Sequence, residues 1–373
     1  MPKYVEPVFI PNKRPDHHVF FLVGGIVIFL SLCISNLFFE QISWPFLFWM
    51  GLVLVIGVLD DLFDVSYRIR LGAHAAVVVG IFLTDGLLVT NIGSIFWNMP
   101  AVDFFGLVAV LFTIMGVIGA INSVNMVDGV DGLLASLVLA SLVVLAIIGL
   151  LFGSVDTPVS IASIFMLIGT LAAFAVVNCR FLGLQRAMAF MGDAGSTVLG
   201  FFLTYALIAL SQAPANVISP ILAGWILGLP LLDASAVIAK RLLDGKAPFH
   251  PDRTHLHHLL MDAGHSVNKT VTIIVCAHVA LMAFASAMYM SFGNMADPFL
   301  FWGFVAMVLV RVGYGLAWSR ASVEKQQLGK ATSASSVNSA GQSHVASGLG
   351  MPVAAEKNIS GGVSSAEPER STE

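Results

Sequence analysis

Residues 44–66 read WPFLFWMGLVLVIGVLDDLFDVS, an unbroken apolar run from Trp44 to Leu59 followed by Asp60, Asp61 and Asp64. Coiled as a helix at about 1.5 Å per residue, that run crosses most of a hydrocarbon layer ~30 Å thick. It delivers its carboxylates only where the lipid ends. The same pattern recurs outward in both directions. Ten apolar runs, at about 19–37, 44–60, 71–89, 102–122, 132–152, 158–178, 196–211, 217–238, 270–290 and 298–317, are each expected to cross the bilayer. Of the 373 residues 57% are hydrophobic and 11% charged, and mean hydropathy is +0.89. A soluble enzyme or nucleic-acid-binding module carries about 25% charged residues, so both classes are excluded. The fold expected is an all-α polytopic membrane protein.

Lys and Arg in short loops are retained on the cytoplasmic side. With the N-terminus inside, that side takes Lys13, Arg14, Arg68, Arg70, Arg180, Arg186, Lys240, Arg241, Lys246, Arg253, Lys269 and Arg320 onward, whereas the opposite loops hold no Lys or Arg. Both termini are therefore expected in the cytoplasm. Residues 1–18 form a short N-terminal segment without the pattern of a signal peptide, 19–317 the membrane domain and 318–373 a disordered tail. The tail is Ser/Ala/Gly-rich and cannot bury enough apolar area to offset its ordering. Cys33, Cys179 and Cys276 sit in apolar surroundings and read as packing residues, with no disulfide.

Acids beside membrane helices need a reason, because each costs roughly 2.5–3.5 kcal/mol at a helix centre. Three groups are present: Asp60, Asp61 and Asp64; NSVNMVDGVDGLL with Asn122, Asn125, Asp128 and Asp131; and FMGDAGS with Phe190, Asp193 and Ser196. Helix parity places all three on the cytoplasmic face. The longest inter-helix loop, about 239–269, is expected there too, with APFHPDRTHLHHLL carrying His250, Asp252, Arg253, His255, His257 and His258. Asp64 reads as solvated, whereas like charges side by side at 60 and 61 call for a cation.

Three readings compete for HLHH. Zinc is disfavoured, since i, i+2, i+3 spacing does not bring three nitrogens to one helical face. A solvated loop and polyanion binding with Arg253 remain, and the second fits the acids opposite. Carboxylates, Mg²⁺ and a diphosphate make one consistent set, because Mg²⁺ takes one or two carboxylates and completes its shell with phosphate oxygens and water. Mn²⁺ can stand in its place. The second reactant would be a lipid reached between the helices.

On LVGG (22–25), GVLDDLFDVS (57–66), NMVDGVDGLL (125–134), Asn178 closing a helix, FMGDAGS (190–196) and PDRTHLHHLL (251–260), in that order, the chain resembles the polyprenyl-phosphate N-acetylhexosamine-1-phosphate transferases. The resemblance spans roughly 22–317. HLHH after PDR resembles the branch of the family that uses N-acetylglucosamine. It departs from the family before LVGG, where another helix is usual and where NKRPDHHVFF stands in place of the usual basic and histidine signature. The resemblance implies that undecaprenyl phosphate attacks the β-phosphorus of UDP-N-acetylglucosamine, releasing UMP, as the first step of lipid-linked O-antigen-type polysaccharide assembly at a bacterial inner membrane. It implies Asp193 and Asn178 as Mg²⁺ ligands and Phe190 stacked on uracil. Asn125, Asp128 and Asp131 would line the nucleotide pocket, Asp60 and Asp61 would face the lipid phosphate, and Arg253, His255, His257 and His258 would hold the diphosphate and sugar. A homodimer is compatible with it, and no nucleic acid is expected as a partner.

Another UDP-N-acetylhexosamine would serve the same chemistry. From other classes, an ion-coupled transporter would use Asp60, Asp61, Asp128 and Asp131 as a relay, and an intramembrane aspartyl protease would pair acids across two helices. Both need acids near the bilayer midplane rather than at helix ends.

Overall fold

The computed structural model describes residues 24–152, 160–180, 187–248 and 253–346, with side chains as far as 321. The basic and histidine residues before LVGG, and His250 and Asp252 of the long loop, lie outside the described residues. Among the described residues eleven α-helices follow one another: α1 (Gly24–Phe39), α2 (Trp44–Phe63), α3 (Tyr67–Asp85), α4 (Gly106–Val127), α5 (Leu133–Phe152), α6 (Ile161–Asn178), α7 (Gly192–Ser211), α8 (Pro220–Leu243), α9 (Leu256–Asp262), α10 (Val267–Phe292) and α11 (Asp297–Ala346). Asn91 and Asp103 form an isolated antiparallel bridge.

The chain is an all-α polytopic membrane protein. Among the described residues eight stretches are long and apolar enough to cross a bilayer, and the last, Val267–Ala321, holds two helices separated by the 3-10 turn Gly293–Ala296. The shorter α1 has 16 residues. Serine caps set several of the starts, since their hydroxyls accept from N–H groups the first turn leaves unpaired: Ser43 from Phe46, Ser160 from Ser163, Ser219 from Leu222 and Ser266 from Lys269.

Residues to Ala317 form one compact unit and those from Trp318 a second. In the first, α7 is the central post. Every residue from Ala194 to Ser211 is buried, packed by α1, α2, α4 and α8. In lipid such packing rests on close backbone approach rather than on the hydrophobic effect. A Cβ at Gly57 of α2 would stand 2.4 Å from the Ala194 Cα, so only glycine lets α2 and α7 meet there. In the second unit, the segment expected to be a tail without regular structure is helical as far as Ala346. Residues 320–331, RASVEKQQLGKA, are rich in helix formers, and 318–346 contain no proline.

Helix α8 is broken. Gly228 sits at φ 48°, ψ −117°, and Pro230 follows. Proline has no N–H, which orphans the Ile226 carbonyl one turn back. Ser141 of α5 repairs the loss by donating to Ile226 O at 2.9 Å, and His278 of α10 accepts from Leu229 N–H at 3.3 Å. The His278 Nε2 lies 3.0 Å from the Ser141 hydroxyl, which closes the relay. Backbone at membrane depth tolerates a break only where other groups re-satisfy it.

Helix ends differ from the expected spans in ways that bear on chemistry. α2 continues to Phe63, so Asp60 and Asp61 lie in its last turn, and Asp64 closes it in the left-handed conformation. α3 begins at Tyr67, so Arg70 belongs to its first turns rather than to a loop. α7 begins at Gly192 and brings Asp193 into its first turn. The end away from these acids also carries Asp85, which accepts from Tyr205 OH at 2.7 Å, and Asp103. There Gln212 binds the loop at 90–91, its Oε1 accepting from Thr90 N at 2.8 Å and Asn91 N at 3.1 Å.

Candidate active site

Four chain segments meet at the start of α7. The first backbone N–H groups of a helix lack partners and carry partial positive charge. Asp61, from the end of α2, supplies both acceptors: its Oδ1 takes Asp193 N–H at 2.8 Å and its Oδ2 Ala194 N–H at 3.1 Å. Asp61 is therefore the cap of α7, delivered from another helix. Its neighbour Asp60 is buried and ion-paired with the guanidinium of Arg70, whose Nη1 also stands 3.4 Å from Asp193 Oδ2. Asn125, near the end of α4, donates to Asp193 Oδ1 at 3.0 Å and to Ser196 Oγ at 2.9 Å. The Asp193 side chain remains 42% exposed, so the carboxylate that three elements position is open to a ligand.

The turn after α4 lies alongside. Asp128 keeps part of its surface open to solvent, yet its pKa is pushed up to about 7. Loss of hydration of the charged form is the first cause, followed by the charges of Asp193, Asp131 and Asp61. Asp131 is engaged with the next loop, accepting from Arg180 Nε at 2.7 Å and Ala187 N–H at 3.2 Å. Asn178 is engaged at both ends of its amide: Oδ1 accepts from Gly132 N–H at 2.9 Å and Nδ2 donates to Ala189 O at 2.8 Å. It thereby ties the DGVDG turn to the loop leading through Phe190 into α7. Phe190 is half-buried on that loop, three residues before Asp193.

The histidines divide into distinct roles. His255 is buried, with Nδ1 2.9 Å from Asp233 Oδ2 and Nε2 3.4 Å from Arg241. His257 is buried against the DGVDG turn, where a Cβ on Gly129 would come within 2.3 Å of its Nε2, so only glycine admits the ring. Its rings contact both neighbours, with centroids 5.8 Å from His255 and 4.2 Å from His258. Burial, then the His258 and His255 charges, lower the His257 pKa to about 3, so it meets a ligand as a neutral imidazole. Arg253 is exposed and reaches Asp262 at 3.2 Å.

Asp60, Asp61, Asn125, Asp128 and Asp193 thus form one constellation, with Asp131 and Asn178 bracing its rim and His257 closing on it at Gly129. Arg70 was not singled out in the sequence, where it read as one of several loop cations. Among the described residues no three His, Cys, Asp or Glu side chains converge closely enough to hold a metal unaided. The donor set nonetheless fits a hard divalent cation, because Asp60 and Asp193 share the guanidinium of Arg70 while the charges of Asp61 and Asp193 also bear on Asp128, leaving an excess of carboxylate among the described residues of the cluster. The exposed Asp193 carboxylate offers oxygens there, and phosphate oxygens would complete the shell.

Asp61→Asn tests the cap. One amide oxygen replaces two carboxylate acceptors, and a charge-assisted hydrogen bond contributes about 1.5–3 kcal/mol. Amide exchange at Asp193 and Ala194 is expected to speed up ~10-fold or more while the middle of α7 keeps its protection. Unchanged exchange at both amides would show that the cap contributes nothing.

The profile of glycosyl transferase family 4 matches residues 43–211. Several proteins named undecaprenyl-phosphate alpha-N-acetylglucosaminyl 1-phosphate transferase are similar to this chain. That of Yersinia pestis is 38% identical over 279 residues, which cover 73% of this chain and 74% of the relative. That of Escherichia coli strain K12 is 37% identical over 289 residues, covering 75% and 76%. That of Pasteurella multocida is 36% identical over 283 residues, covering 73% and 77%.

Proposed function

Because this chain belongs to glycosyl transferase family 4, among the undecaprenyl-phosphate alpha-N-acetylglucosaminyl 1-phosphate transferases, we propose that it moves N-acetylglucosamine 1-phosphate from UDP-N-acetylglucosamine to undecaprenyl phosphate. A lipid phosphate oxygen forms a bond to the β-phosphorus, the bond from that phosphorus to the oxygen bridging the two phosphates breaks, and UMP leaves. The observation that carries this reading is the Asp193 carboxylate, fixed by Asp61, Arg70 and Asn125 at the start of the most buried helix and still open to a ligand.

Bound Mg²⁺ would neutralise the diphosphate, held by Asp193 with the Asn125 amide beside it. The chain's own residues do the positioning. Arg70 and Asp60 orient the lipid phosphate, which is already largely dianionic near neutrality because its second pKa is about 6. No strong general base is needed, and catalysis rests on alignment and charge. Asp128, Asp131 and Phe190 take the nucleotide, with Asn178 bracing the loops that carry them. Arg253, His257 and His258 approach the sugar diphosphate, and neutral His257 acts by hydrogen bonding. His255 belongs to the support beneath them.

The nucleotide sugar is a cytoplasmic molecule, and the basic loops favour the same side for the acids, so we assign the active face and both termini to the cytoplasmic side of a bacterial inner membrane. Cysteines substituted at Met99 and Met295, both exposed at the other end, should react with an impermeant thiol reagent applied from outside, and one at Gly245 should not. Labelling at 245 from outside would overturn the orientation.

The activity is tested with purified protein, undecaprenyl phosphate and radiolabelled UDP-N-acetylglucosamine. Label extractable into butanol, requiring divalent metal and absent with UDP-N-acetylgalactosamine, is the expected result. Preference for the galactosamine sugar would overturn the assigned substrate, and uptake of label into vesicles without lipid product would favour a carrier.

A further inference from the structure

Two charges lie deep in apolar helices, away from the constellation at the start of α7. Asp233 of α8 is 2% exposed, and Arg311 of α11 is buried as well. Charges at this depth persist only when paired and are a default sign of function. They find each other: Arg311 Nε and Nη2 stand 3.0 and 2.7 Å from Asp233 Oδ1. The pair continues into the histidine loop. Asp233 Oδ2 accepts from His255 Nδ1 at 2.9 Å, and Leu256 N–H lies 3.2 and 3.3 Å from the two carboxylate oxygens. Arg311 Nη2 also donates to the Thr254 carbonyl. Arg241 adds two contacts, to Pro248 O at 2.6 Å and His255 Nε2 at 3.4 Å.

The carboxylate therefore does for α9 what Asp61 does for α7. It accepts from the first N–H of the helix and, by taking the His255 Nδ1 proton in a hydrogen bond, sets which ring nitrogen faces Arg241. His255 stacks on His257 at an interplanar angle of 9°, and His257 meets Gly129 of the DGVDG turn. One chain of contacts thus runs Arg311, Asp233, His255, His257, Gly129.

We propose that Asp233 and Arg311 are positioning residues for the transfer reaction, holding the histidine loop so that His257 and Arg253 meet the sugar diphosphate. The proposal rests on the reading of that loop given above. Asp233→Asn keeps the size and one acceptor for Leu256 but removes the charge. Arg311→Met keeps an unbranched apolar stem but removes the guanidinium, and with it both the charge and the contact to Thr254. A residue that is only structural lowers the folded fraction, leaving the KM of the surviving enzyme unchanged. A positioning residue changes KM in enzyme that is folded.

The full chain in detergent is the protein to use. In each variant hydrogen exchange across 253–262 should quicken ~10-fold or more while α7 stays protected. The KM for UDP-N-acetylglucosamine should rise ~10-fold or more, and inhibition by uridine, which lacks the diphosphate and sugar that the loop is proposed to meet, should stay within about 2-fold. If either variant fails to fold, Arg311→Lys, which retains charge but lacks the planar fork, is read by the same measurements. Unchanged protection across 253–262, or an unchanged KM in folded variants, would overturn the proposal. Wild-type protein that forms no lipid product would count against the proposed function, and the exchange measurement would still decide the anchoring.

Discussion

Asp193→Asn is expected to reduce transfer at least ~100-fold while leaving the protein folded and inserted. The substitution preserves volume and lets the side chain stay beside Arg70 and Asn125, but it removes the charge that those groups and Asp61 hold at the mouth of the site. Stabilisation of charge on a transferring phosphoryl group is the largest contribution the site can make, and losing one element of it typically costs 10²–10³-fold. Turnover under saturating UDP-N-acetylglucosamine measures it, with gel filtration and melting temperature as controls for folding. Rates within a few-fold of wild type would remove Asp193 from the reaction.

The second large effect separates the two sides of the site. Asp60→Asn should lower turnover at least ~100-fold while UDP-N-acetylglucosamine affinity stays within a few-fold, since Asp60 is paired with Arg70 on the side away from the histidine loop. His257→Ala should instead weaken nucleotide-sugar binding as well as turnover. The expected loss of affinity is about 10-fold, because a neutral imidazole contributes an ordinary hydrogen bond of about 0.5–1.5 kcal/mol. Equilibrium binding of labelled UDP-N-acetylglucosamine to the two variants decides it. Loss of binding in Asp60→Asn and retention in His257→Ala would reverse the assignment.

The acids were legible in the sequence because carboxylates stand out against apolar helices, and the structure brings those of α2, the α4 turn and α7 together. Their individual tasks were not legible. Asp60 and Asp61 are adjacent in sequence, yet one pairs with Arg70 and the other caps α7, because successive helix positions point about 100° apart. Asn178 and Asn125 carry the same amide. Only tertiary packing shows that the first is engaged with Gly132 and Ala189 while the second lies on Asp193. Arg70 was hidden by a helix boundary, since polar Tyr67–Arg70 lowers the apolar signal of the first turn of α3. His255 and His257 look equivalent in HLHH, but α9 begins between them and turns one towards Asp233 and the other towards Gly129. For Asp233 and Arg311 a signal was present: an arginine inside FVAMVLVRVGYGL at 304–316 requires an acid of comparable depth, and PLLDASAV at 230–237 supplies one.

Placing the acids at the ends of α2 and α4 and at the start of α7 also separates this chain from an ion-coupled carrier, whose sites are built near the bilayer midplane from broken helices. The broken helix α8 is repaired by Ser141 and His278 rather than opened to a ligand. The remaining question is which bond of the nucleotide sugar is cut, and UDP-N-acetylglucosamine labelled with ³²P in the β-phosphate answers it. With purified protein and undecaprenyl phosphate, transfer of the ³²P into the butanol-extractable lipid with release of unlabelled UMP is the expected result. Release of the label in water-soluble UDP, with the sugar alone carried to lipid, would contradict sugar-1-phosphate transfer.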